Sequence, residues 1–134
     1  MKQKNEKKVL LKLNENAQCE PLVLVYLYKN AGTLIVPSDI ARYIGASTAR
    51  VANILNNLEE KGMMSREISR EDRRKILVFL TDKGRKETKE RRTRTITRIS
   101  NVFEAMGEER TQHFIEAWAL FIQTSMSILE QEKE

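Results

Sequence analysis

The apolar positions of the chain change their period as it proceeds, and each change marks an element. In Glu20–Asn30, EPLVLVYLYKN, they are nearly continuous, a pattern that suits a buried strand or a helix. Pro21, tolerated in a first helical turn, the stop at Ala31-Gly32 and the packing partner that the next elements require point to a helix. Thr33 to Val36 then predicts a short extended piece ended by Pro37. Beyond it, Ser38 and Asp39 offer capping oxygens and negative charge at a helix start, Ile40, Ala41 and Ile44 form a small apolar stripe, and Gly45 stops it. Ser47 supplies a second N-cap, and Val51, Ile54, Leu55 and Leu58 recur at i, i+3, i+4 and i+7 until Gly62. Two short helices flanking Gly45-Ala46 have the spacing of a helix-turn-helix, whose second helix is short enough to enter a major groove.

The period then shortens. Met63 to Ile68 and Ile76 to Leu80 are extended runs joined by the polar SREDRRK, which predicts a β-hairpin. Thr81-Asp82 caps a long helix whose first half, residues 83–95, carries no large apolar side chain and is expected to be exposed. Ile96, Ile99, Val102, Phe103 and Met106 restore a helical stripe, and Gly107 breaks it. A last helix over 108–132 presents Phe114, Trp118, Phe121, Ile122, Met126 and Leu129, a face wide enough for helix-on-helix packing. The fold class is therefore mainly α with a small β-hairpin wing (α+β), a winged helix-turn-helix.

Charge sharpens this picture. The 134 residues carry a formal +5 with a pI near 9.4, which favours polyanions. Residues 66–98 hold thirteen Lys and Arg against six Asp and Glu, whereas residues 99–134 are net −5. The middle suits an anionic partner; the acidic end suits pairing with another copy. One cysteine, Cys19, leaves no intrachain disulfide and reads as a structural thiol, with peroxide sensing as its rival role. A lone His113 gives no metal-ligand spacing, and there is no Ser/His/Asp set or Gly-rich phosphate loop, so no metal, no cofactor and no enzymatic activity are expected. The N-terminus lacks an apolar h-region, and no run approaches the ~20 apolar residues of a membrane span, so a cytoplasmic protein without membrane contact is expected.

With Val51, Ile54, Leu55 and Leu58 inward, a helix advancing ~100° per residue turns Ala49, Asn53, Asn56 and Glu60 outward, flanked by Arg50 and Asn57. Asn can pair with adenine at N6 and N7, Arg can fork onto guanine, and the methyls of Thr48 and Ala49 can touch thymine. In the hairpin, Arg66, Arg70, Arg73, Arg74 and Lys75 are five cations within ten residues. A hairpin placed after a helix-turn-helix can neutralise phosphates and insert a long Arg into the minor groove, and Asp72 is near enough to brace Arg74.

The run PSDIARYIGASTARVANILNNLEEKGMMSREISREDRRKILVFLTDKG resembles the winged helix-turn-helix core of the MarR family of transcription regulators. Its most specific part is D-R-R, an alternating strand and L-T-x-K-G, from Asp72 to Gly84. The resemblance implies that Ser47, Thr48, Ala49, Arg50 and Asn53 open the recognition helix; Ser38, Asn56, Arg70, Arg73 and Lys75 are expected to add DNA contacts. It makes Arg74 the minor-groove arginine, oriented by Asp72. It also implies homodimerisation through flanking N- and C-terminal helices, dividing the chain into an arm over 1–20, a DNA-binding core over 21–82 and a dimerisation part over 83–134. Val36 departs from the hydroxyl cap common before the proline. The expected function is a sequence-specific transcription regulator, a repressor, that binds a pseudo-palindromic operator in double-stranded DNA as a homodimer and is released by a small-molecule or redox effector. A winged-helix module that binds protein instead is the alternative.

Overall fold

The apolar run after Pro21 folds as a helix. In the computed structural model, which describes residues 18–133, helix α1 covers 18–29 and turns Val23, Leu24 and Leu27 into the core. The seventeen residues before it, most of the expected N-terminal arm, lie outside the described residues. Helices α2 (Pro37–Ile44) and α3 (Thr48–Glu60) follow, then β1 (Met64–Ile68), β2 (Ile76–Leu80), α4 (Asp82–Met106) and α5 (Glu108–Gln131). The chain divides between Arg91 and Arg92 into two compact units.

In the first unit the start of α2 differs in detail from its expected cap. Pro37 is the first helical residue and Val36 the N-cap, so Ser38 lies inside the first turn with an exposed side chain. A valine side chain cannot accept a hydrogen bond, and the helix is stabilised from the other direction: the Val36 N–H donates to Asp39 Oδ2 at 3.0 Å. Gly45 closes α2 in the left-handed region (φ 66°), a conformation that costs other residues more than glycine, and its N–H reaches the Ala41 carbonyl. Ser47 then caps α3 as expected, its Oγ accepting from the Arg50 N–H at 3.2 Å.

The four α3 residues picked out by their period, Val51, Ile54, Leu55 and Leu58, are all buried to within 1%. Burying each contributes about 1.5–3 kcal/mol, which makes α3 the main pillar of this core. Ile40, Ile35, Met63, Met64 and Val78 complete it. The hairpin is antiparallel with Arg66 opposite Val78 and Ile68 opposite Ile76. The extended piece before α2 lies along its edge, since the Val78 N–H donates to the Ile35 carbonyl at 2.8 Å.

Thr81 ties the hairpin to α4, its Oγ1 accepting from the Gly84 N–H and donating to the Gly62 carbonyl. The expectation that residues 83–95 are wholly exposed needs correction: Gly84 and Thr88 are buried. Small side chains let this helix approach the turn before β1 closely, and any Cβ at Gly84 would run into the Met63 carbonyl. A search for large apolar residues misses such a contact.

In the second unit, residues 92–133, α4 ends at Gly107, and the Thr111 hydroxyl donates to the Phe103 carbonyl at 2.9 Å across the turn. Phe103 meets Phe114, and Phe114, Trp118 and Phe121 follow one another along α5 with ring centroids 5.7–6.3 Å apart. No residue of α5 is buried.

Candidate nucleic-acid interface

The candidate surface is built from α3 and the hairpin, both parts of the first unit. Because the inward stripe of α3 is fixed by the core, the opposite face is fixed too. Ser47, Thr48, Ala49, Asn53 and Asn56 are exposed, as is Ala52, a small residue the sequence reading passed over. Small side chains at the start of a helix let its backbone come close to a duplex edge. Ser38, in the first turn of α2, is exposed as well.

Two residues of the expected reading face are held by neighbours. Arg50 is half-buried, and its guanidinium Nη2 reaches back to Cys19 Sγ on α1 at 3.3 Å. The cation next to Cys19, which local sequence did not reveal, thus comes from thirty-one residues away. Asn56 Oδ1 accepts from Arg66 Nη2 at 2.6 Å, and Arg66 Nε donates to Glu59 Oε2 at 2.8 Å. Arg66, grouped by sequence with the cations of the hairpin, sits instead on β1 as a link to α3. A second link, Lys61 Nζ to Glu20 Oε2 at 2.6 Å, joins the C-terminal end of α3 to α1. Glu20 is 8% exposed, so the pair keeps its charge compensated where burial would otherwise be costly.

The tip of the hairpin is folded by its own short-range bonds. The Ser69 N–H donates to the Lys75 carbonyl, the Lys75 N–H to the Asp72 carbonyl, and the Asp72 N–H to Ser69 Oγ. Within this turn Asp72 Oδ1 accepts from both the backbone N–H and Nε of Arg74, each at 3.1 Å. The Arg74 side chain and backbone bonds to Asp72 hold its carboxyl below its ordinary range. The Arg74 side chain remains 90% exposed, and Arg70, Arg73 and Lys75 are exposed beside it. An arginine that projects into water while its guanidinium is held has fewer rotamers to lose on binding.

Residues 16–75 match the model of the MarR family. The HTH-type transcriptional regulator YfiV of Bacillus subtilis strain 168 is 43% identical over 63 residues, covering 47% of this chain and 39% of that protein. The HTH-type transcriptional repressor YetL of the same organism is 26% identical over 93 residues, covering 69% of this chain and 56% of that protein. The matches thus span about half or less of these curated relatives. Among solved structures, Streptococcus pneumoniae FabT in complex with DNA superposes with a TM-score of 0.68 at 19% identity, covering 96% of this chain and 99% of that one. The likeness extends to the whole winged-helix architecture.

Proposed function

We propose that the chain is a MarR-family transcription regulator, as the match of its winged-helix segment supports, binding a pseudo-palindromic duplex as a homodimer. The observation that carries this reading is the pairing, within one unit, of an exposed small and amide-bearing face on α3 with an Asp72-braced, outward Arg74. The helix suits a major groove; the arginine suits the narrow, electronegative minor groove beside it. Arg70, Arg73 and Lys75 supply phosphate contacts, and a second copy sets two recognition helices about one helical turn, ~34–36 Å, apart.

Support for the homodimer comes from the second unit. Trp118, Phe121 and Leu129 are each more than half exposed, and apolar patches of this kind mark protein interfaces. Similarity to YetL, a transcriptional repressor, supports repression as the direction of control. The protein acts in the cytoplasm, without catalysis of its own, and an effector that prefers a conformation with the wrong helix spacing releases the DNA. Among the described residues no helix is long and apolar enough to cross a membrane.

Selection of bound duplexes from a random pool, followed by salt titration on the enriched site, tests the reading. A two-fold symmetric motif is expected, with log affinity falling by about 0.9 per phosphate contact for each decade of salt. Failure to enrich any sequence, together with salt-insensitive binding to a protein, would leave the interaction-module alternative.

A further inference from the structure

Arg66 reaches from the middle of β1 to two residues of α3 at once, Asn56 and Glu59, with its side chain 29% exposed. A guanidinium carries donors only, so the Asn56 atom facing it is the carbonyl oxygen Oδ1, and the amide nitrogen Nδ2 is turned to the other side. The bond is charge-assisted, stronger than a neutral amide contact, and it cannot be exchanged for a flipped amide without setting donor against donor. Asn56 lies on the outward face of α3, one turn beyond Asn53, where an unconstrained amide would present both its oxygen and its nitrogen. The same guanidinium compensates Glu59, a carboxylate that would otherwise oppose phosphate on this face.

We infer that Arg66 is a specificity-positioning residue, which turns Asn56 into a donor-only reader matched to the keto edges of guanine and thymine rather than to adenine. The inference rests on the DNA-binding reading above. Two-point pairing of an amide with adenine needs the oxygen for N6–H and the nitrogen for N7 at once; with Oδ1 aimed at Arg66 and one of its two lone pairs taken there, adenine keeps the bond from Nδ2 to N7 but loses the aligned acceptor for its amino group. Guanine O6 and N7, or thymine O4, accept from Nδ2 without it. Asn53, which has no such tie among the bonds described, is not constrained in this way.

The test is selection from a random duplex pool with the full chain in four forms: unmodified, Asn56→Ala, Arg66→Met and Arg66→Lys. The unmodified protein is expected to show a position restricted to guanine or thymine that becomes indifferent in Asn56→Ala. Arg66→Met, which keeps length but removes the donors, frees Oδ1 and moves that position towards adenine by roughly tenfold or more in the adenine-to-keto ratio. Arg66→Lys, which still donates to Oδ1, keeps the original preference. A uniform loss of affinity in Arg66→Met with unchanged base preference would overturn the inference, as would a motif with no position that responds to Asn56→Ala. If the unmodified protein enriches a motif and only these responses are missing, the DNA-binding reading stands and the positioning role falls; if it enriches nothing, both fall.

Discussion

The two units of the chain use their apolar residues in opposite ways. In residues 18–91 the large aliphatic side chains of α3 are buried to within 1%, and α1, α2 and the hairpin close around them. In residues 92–133 Trp118 is 55% and Phe121 60% exposed, and no α5 residue is buried. The first unit buries the α3 stripe within itself, while Leu22, Leu34 and Ile68 stay exposed. The second, with an equally regular apolar stripe, leaves it exposed. Amphipathic period therefore marks a face suited to burial without saying what, if anything in the same unit, buries it.

Perturbing the second unit is expected to produce the largest effect. Trp118→Ala combined with Phe121→Ala removes two aromatic anchors worth about 2 kcal/mol or more each in an interface, so sedimentation equilibrium should show monomer. An unchanged dimer would place the interface elsewhere. Ile54→Ala attacks the first unit and should cost about 2–5 kcal/mol of folding free energy, read by thermal or urea unfolding. Gly84→Ala comes next, at about 1–3 kcal/mol, because the new methyl meets the Met63 carbonyl rather than a side chain that could move aside. Arg74→Ala should leave stability and dimerisation alone while weakening operator binding about tenfold and lowering its salt slope by about 0.9, measured by anisotropy titration.

The smallest expected effect concerns protonation of Asp72. Its carboxyl is held below its ordinary value of 3.8 by Arg74, so the brace is fully present above that value and is lost as pH falls through the lowered one. Between pH 5 and 8 operator affinity should not change on account of Asp72. Asp72→Asn should lower affinity slightly and by the same amount at every pH from 5 to 8, giving two flat, parallel profiles; a slope in the unmodified protein that the variant lacks would contradict this.

Much of the architecture could be read in the sequence because it is written in local pattern. The i, i+3, i+4, i+7 run from Val51 to Leu58, the stop at Gly45, the Ser47 cap and the Asp72-Arg74 pair all act over four residues or fewer, or repeat at a fixed period. What escaped is written in pairs separated along the chain. Glu20 meets Lys61 across forty-one residues and Cys19 meets Arg50 across thirty-one, and neither position has a neighbour that announces the other. Arg66 looked like one more cation of the hairpin because sequence order cannot show that a strand residue faces a helix. Gly84 was missed for a different reason: its contribution is the space it leaves.

The two contacts between α1 and α3 also have a mechanical meaning. Arg50 and Lys61 stand eleven positions apart, about 16 Å along a helix axis, yet they reach consecutive residues of α1. The two long side chains therefore converge from opposite ends on one crossing point, like stays fixed to a single mast. Sliding α1 along α3 in either direction would lengthen one of these two contacts, so together they fix where the two helices cross.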